Sequence, residues 1–130
     1  MDDRETTVAE MRARLRAFNA ERDWARYHCP RNLVMALGAE VGELLALYLW
    51  CRDEGPQPAV ESRRVRVDEE IADVAICLLN LCDAHGIDLA SAVEAKLARN
   101  AERYPAEKVR GRMEKYDEYP LPDDSSPISK

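Results

Sequence analysis

The chain has 130 residues, of which 46% are apolar, and a formal net charge of −6. That length makes one domain with one core, and the acidic balance argues against a nucleic-acid-binding surface. The start, Met1-Asp2-Asp3-Arg4-Glu5, has no apolar signal segment and no later run reaches membrane length, so a cytoplasmic protein with no membrane partner is expected.

Leu, Ala, Glu and Arg dominate, and Gly is scarce, which favours helix throughout. Thr6 or Thr7 is a candidate N-cap, and Met11, Leu15 and Phe18 recur at helical spacing. A first helix is therefore expected from about residue 7 to the low twenties. The aromatic and polar stretch Asp23-Trp24-Ala25-Arg26-Tyr27-His28-Cys29 follows, and Pro30 restarts the chain as a helix.

The second predicted helix runs from about Arg31 to Trp50. It is apolar nearly all the way round, through Leu33, Val34, Met35, Leu37, Val41, Leu44, Leu45 and Leu47. A helix of that kind is covered on most sides. In so short a chain this calls for a second subunit, so a homo-oligomer is expected. Asp53-Glu54-Gly55-Pro56-Gln57-Pro58 reads as a loop.

The third predicted helix extends from near Val60 to about Ala84. It turns from Arg63, Arg64, Arg66, Asp68 and Glu69 to the apolar run around Ile76, Leu78 and Leu79, and Gly86 suits a left-handed cap. A fourth runs from Asp88 or Leu89 to about Arg103, with Pro105 as the stop. Residues 1–112 form the helical domain. Residues 113–130, charged and carrying Pro120, Pro122 and Pro127, read as a disordered tail. The fold class is thus all-α, an antiparallel bundle of about four helices. The cysteines Cys29, Cys51, Cys77 and Cys82 form no C-x-x-C pair and read as reduced thiols.

Two acidic pairs carry the chemistry. Glu40 and Glu43 are three apart on the second helix, and Glu70 and Asp73 three apart on the third, so each pair points one way. Counted back from the shared loop in an antiparallel hairpin, the two pairs come level. Four carboxylates converging in apolar surroundings repel one another and resist desolvation. A hard cation removes both problems, and oxygen donors without His or Cys favour Mg²⁺, with Mn²⁺ as a substitute, over zinc. The same residues on solvated faces are common singly, but two such pairs in register are not. A di-iron bundle, which adds Glu-x-x-His pairs, has no counterpart here, because neither His28 nor His85 lies three after a Glu.

Further groups extend the pattern. Trp50 stands two turns beyond Glu43 on one stripe, about 10 Å along the axis, and reads either as a stacking surface for a base or as a core or interface Trp. Lys96, Asn100 and Arg103 form one polar stripe of the fourth helix, suited to phosphate oxygens and a base or sugar edge, or simply to solvent. Acids, a divalent ion and nearby cations are equipment for water attack on a phosphoanhydride, with one acid able to serve as general base.

These residues resemble the all-α nucleoside triphosphate pyrophosphohydrolases of the MazG type, and within them the dCTP pyrophosphatase branch. The resemblance covers about residues 15 to 110. It rests on E-x-x-E at Glu40 and Glu43, E-x-x-D at Glu70 and Asp73, Phe18-Asn19-Ala20-Glu21-Arg22-Asp23-Trp24, His28-Cys29-Pro30-Arg31-Asn32-Leu33, Trp50, and the run from Lys96 to Pro105. It implies Mg²⁺-dependent hydrolysis of dCTP or a 5-modified dCTP to monophosphate and pyrophosphate, clearing unwanted nucleotides. It also implies that Trp24, His28, Trp50 and Asn100 line the nucleotide site. Subunits would pair, commonly as a tetramer, with one chain's N-terminal segment over another's site. The departure is Cys77, where the branch carries a Tyr near the base, and a smaller side chain there widens the pocket. Action on dUTP or another nucleotide, and a catalytically silent helical scaffold, are the alternatives.

Overall fold

The computed structural model describes residues 1–50 and 63–111, and every regular element among them is helical. They fall into two units, residues 1–87 and the part of the chain from Asp88 onward. The expected loop at 53–58, Cys51, the expected helix start near Val60 and the expected tail from Met113 lie outside the described residues.

In the first unit, α1 spans Val8–Glu21. Its start is a capping box: the Glu10 N–H donates to Thr7 Oγ1 (3.2 Å) and the Thr7 N–H donates to Glu10 Oε2 (2.7 Å). Asp23 then adopts a left-handed conformation (φ 52°), and a 3-10 turn follows at Trp24–Tyr27. Pro30 opens α2, Pro30–Tyr48, at the position where its missing N–H costs nothing. This helix stops two residues short of the expected Trp50. Leu49 is extended (ψ 131°) and Trp50 is left-handed (φ 65°), which ends the 3.6-residue repeat.

The next helix, α3, spans Arg64–His85. Gly86 (φ 63°) closes it as expected, with the Ile87 N–H donating to the Cys82 carbonyl at 2.9 Å. α2 and α3 form an antiparallel pair. Arg63, just before α3, donates to the Leu47 carbonyl near the end of α2 (3.1 Å), so the late part of one helix meets the start of the other. The buried apolar residues of this pair are Leu33 and Leu47 on α2 with Val67, Leu79 and Cys82 on α3. α1 packs on α3 through charge as well as carbon: Asp83 accepts from Arg12 Nε (2.6 Å) and from Arg16 Nη1 (3.2 Å).

The core of this one chain is small. Met35 is 64% exposed and Leu45 63%, although both belong to the apolar second helix. In the second unit, α4 spans Leu89–Arg103, with the Asp88 carboxylate accepting from the Ser91 N–H (2.8 Å), and a short α5 spans Ala106–Val109 after Pro105. Of the cysteines described, Cys29, Cys77 and Cys82 are all free thiols.

Candidate active site

Two helical turns supply the acids. Glu40 and Glu43 sit one turn apart on α2, and Glu70 stands opposite on α3, in the level register expected of the hairpin. One oxygen from each of these three carboxylates lies within 4.8 Å of the others, close enough to share one ion. Asp73, one turn after Glu70, completes the acidic field. Burial raises the pKa of Glu40, and the carboxylates of Asp73, Glu43 and Glu70 raise it further. The charges of the other three acids thus reach Glu40.

Beside the acids lies a cavity of about 780 Å³, walled by α1, the 3-10 turn, α2 and α3. Glu40 and Asp73 stand in its wall, and so do Trp24, His28 and Cys77. The aromatic side is ordered: Phe18 meets Trp24 edge-on (5.7 Å between centroids, 74°), and Trp24 meets His28 at 6.4 Å. The Arg22 guanidinium covers Phe18 at 3.5 Å from the ring centroid. Burial, helped by the nearby charges of Glu40 and Asp73, pushes the Cys77 thiol up, so it stays protonated and neutral. The volume suits a ligand of nucleotide size.

The remaining expected residues stand elsewhere. Trp50 is 97% exposed just past α2 and is not part of the cavity wall. Lys96, Asn100 and Arg103 occupy α4 in the second unit, at the expected i, i+4 and i+7 positions; Asn100 is half-buried and the two cations are exposed. Residues not singled out from the sequence also line the cavity, notably Tyr27, Ala36, Asn19 and Asn80. One signal was available for Asn80: an amide inside the apolar run from Ile76 to Leu81 needs a partner.

Comparison with known proteins identifies the family. The model of the MazG-like family matches residues 35–119, a segment holding all four acids. The chain is 42% identical over 118 residues to dCTP pyrophosphatase 1 of Bos taurus, covering 89% of this chain and 70% of that protein. It is 42% identical to dCTP pyrophosphatase 1 of Homo sapiens, over 89% of this chain and 69% of that one. Among solved structures, a pyrophosphatase from Archaeoglobus fulgidus superposes with a TM-score of 0.73 at 38% identity, covering 81% of this chain and 98% of that chain.

Proposed function

The chain belongs to the MazG-like family, and from that premise we propose that it hydrolyses dCTP, or a 5-modified dCTP, to the monophosphate and pyrophosphate with Mg²⁺. As an enzyme it is dCTP diphosphatase-like, a nucleoside triphosphate pyrophosphohydrolase. The observation that carries the reading is the convergence of Glu40, Glu43 and Glu70 oxygens within 4.8 Å, beside a cavity of nucleotide size.

The residues fit a hard divalent ion. The donors are carboxylate oxygens, the one nearby thiol is held protonated, and the Glu40 pKa is raised by burial and then by the neighbouring carboxylates, both of which a cation would offset. In our reading Glu40, Glu43, Glu70 and Asp73 hold Mg²⁺, with Mn²⁺ able to substitute. Such an ion supplies charge neutralisation for the polyphosphate and activation of the attacking water. The chain's own residues do the rest. The acids fix where the triphosphate ends. Trp24 and His28 offer ring faces to the base, and the Cys77 side chain leaves room beside it for a 5-substituent. Lys96 and Arg103 are assigned to phosphate oxygens, Asn100 to a base or sugar edge and Trp50 to stacking, on their residue types. Action on dUTP or another nucleotide is the second reading, and the base of the turned-over substrate separates it from the first.

We also propose a homo-oligomer, either a tetramer built as a dimer of dimers or a dimer, in the cytoplasm. Supporting the oligomer is the exposed apolar surface of α2. The role that follows is clearance of unwanted nucleotides. The test is a panel of canonical and 5-methyl or halogenated deoxynucleoside triphosphates with Mg²⁺, read by product mass and pyrophosphate release. The reading expects dCMP-type products and pyrophosphate, with Glu43→Ala and Asp73→Ala inactive yet still assembled. No release from any member of the panel returns the chain to a silent scaffold.

A further inference from the structure

Asn80 is the buried polar side chain of the described residues, set between Leu79 and Leu81 of α3. A buried amide in an apolar helix face persists where partners meet it. One partner is Asn19 of α1, whose Nδ2 donates to Asn80 Oδ1 at 2.9 Å. A side-chain amide has two donor hydrogens and an acceptor oxygen, so this bond leaves Asn80 Nδ2 and Asn19 Oδ1 to spare. No enclosed side-chain nitrogen or oxygen among the described residues lacks a partner. The spare atoms are therefore open to solvent, and both residues meet it in the wall of the 780 Å³ cavity.

Position gives these atoms a use. Asp73, Cys77 and Asn80 follow one another along one stripe of α3, and Asn80 stands two turns, about 10 Å, from Asp73. That span carries a nucleotide from its phosphates to the far edge of its base. We propose that Asn19 and Asn80 together read the edge of a pyrimidine formed by N3 and the group at position 4. This inference rests on the nucleotide reading of the cavity. Cytosine shows a donor at position 4 beside an acceptor at N3, and uracil shows an acceptor beside a donor. The amide pair shows one donor and one acceptor. The two amides can turn over together, exchanging which one donates, at no loss of their mutual bond. The pair therefore accepts 4-amino and 4-oxo pyrimidines alike, which makes the substrate class pyrimidine deoxynucleoside triphosphates of both kinds.

A carboxylate only accepts, so an Asp facing position 4 favours a 4-amino group, an Asp facing N3 favours the N3–H of a 4-oxo base, and Asn80→Asp and Asn19→Asp shift the preference in opposite senses. The readout is the ratio of kcat/KM for dCTP to that for dUTP. Both substrates carry the same triphosphate, so any effect of the added charge on ion binding cancels in the ratio. The unsubstituted protein is expected to turn over both nucleotides, and the two variants to move the ratio about tenfold or more in opposite directions. Should Asn80→Asp fail to fold, Asn19→Asp alone, at a half-buried position, still moves the ratio away from that of the unsubstituted protein. A ratio that stays within about twofold in Asn19→Asp overturns the proposal, as does an unsubstituted protein that turns over dCTP and rejects dUTP. A protein that releases pyrophosphate from no nucleotide at all sinks the pyrophosphohydrolase reading itself.

Discussion

Glu40 on α2 and Glu70 on α3 hold carboxylate oxygens within 4.8 Å of one another, with Glu43 in the same group. Like charges that close resist sharing ionisation. The chain keeps them together at some cost to its own stability, which is the mark of a site. Replacing Glu40 by Gln should therefore lower kcat/KM for dCTP by at least about a hundredfold, while the metal-free protein melts at the same temperature or higher. Parallel turnover assays and thermal melts in EDTA check both halves. A variant that loses activity and melts lower indicates a structural acid instead.

The pKa of Glu40 gives the metal-free protein a pH dependence of definite sign. Folded Glu40 keeps its proton above the ordinary value of 4.5, whereas the unfolded chain releases it there. Between 4.5 and that raised value the folded state binds more protons, so metal-free stability falls as pH rises. Divalent ion stabilises by binding the folded state and should do so only once the acids ionise. Melting curves across pH with and without Mg²⁺ should thus separate as pH rises and converge toward 4.5.

The acid register was legible in the sequence. Helical spacing put each acid pair on one side, and loop position put the two pairs level. The Pro and Gly signals at Pro30 and Gly86 also read correctly, because each acts through its own backbone. Partnerships between distant residues were not legible. Asn19 with Asn80, and Arg12 and Arg16 with Asp83, are ordinary helix residues until α1 is laid on α3. The left-handed Asp23 and Trp50 are a related case: positive φ is uncommon in any non-glycine residue, and the enrichment of Asp there does not by itself single out Asp23.

Asp83 is the hinge of the α1–α3 contact, accepting from both Arg12 and Arg16 while largely shielded from water. Asp83→Ala leaves the Arg12 guanidinium without its carboxylate. Urea unfolding should show a loss of about 1.5–3 kcal/mol, the range for a hydrogen-bonded charge. Because α1 walls the cavity, KM for nucleotide should rise more than kcat falls.

The exposed Met35 and Leu45 of α2 are more apolar surface than a lone small chain ordinarily leaves open. Light scattering should give a mass of at least two chains at micromolar concentration. Leu45→Asp, away from the acids and the cavity wall, should shift that mass toward the monomer.

The central claim is that the facing acids hold the ion that receives the triphosphate. Its most direct measurement is Mn²⁺ binding followed by electron paramagnetic resonance, in the unsubstituted protein and in Glu70→Gln, with and without a non-hydrolysable dCTP analogue. The account predicts bound Mn²⁺ whose signal changes when the analogue is added, and affinity lowered about tenfold to a hundredfold or more by the substitution. Equal Mn²⁺ affinity in the two proteins, with a signal indifferent to the analogue, would contradict it.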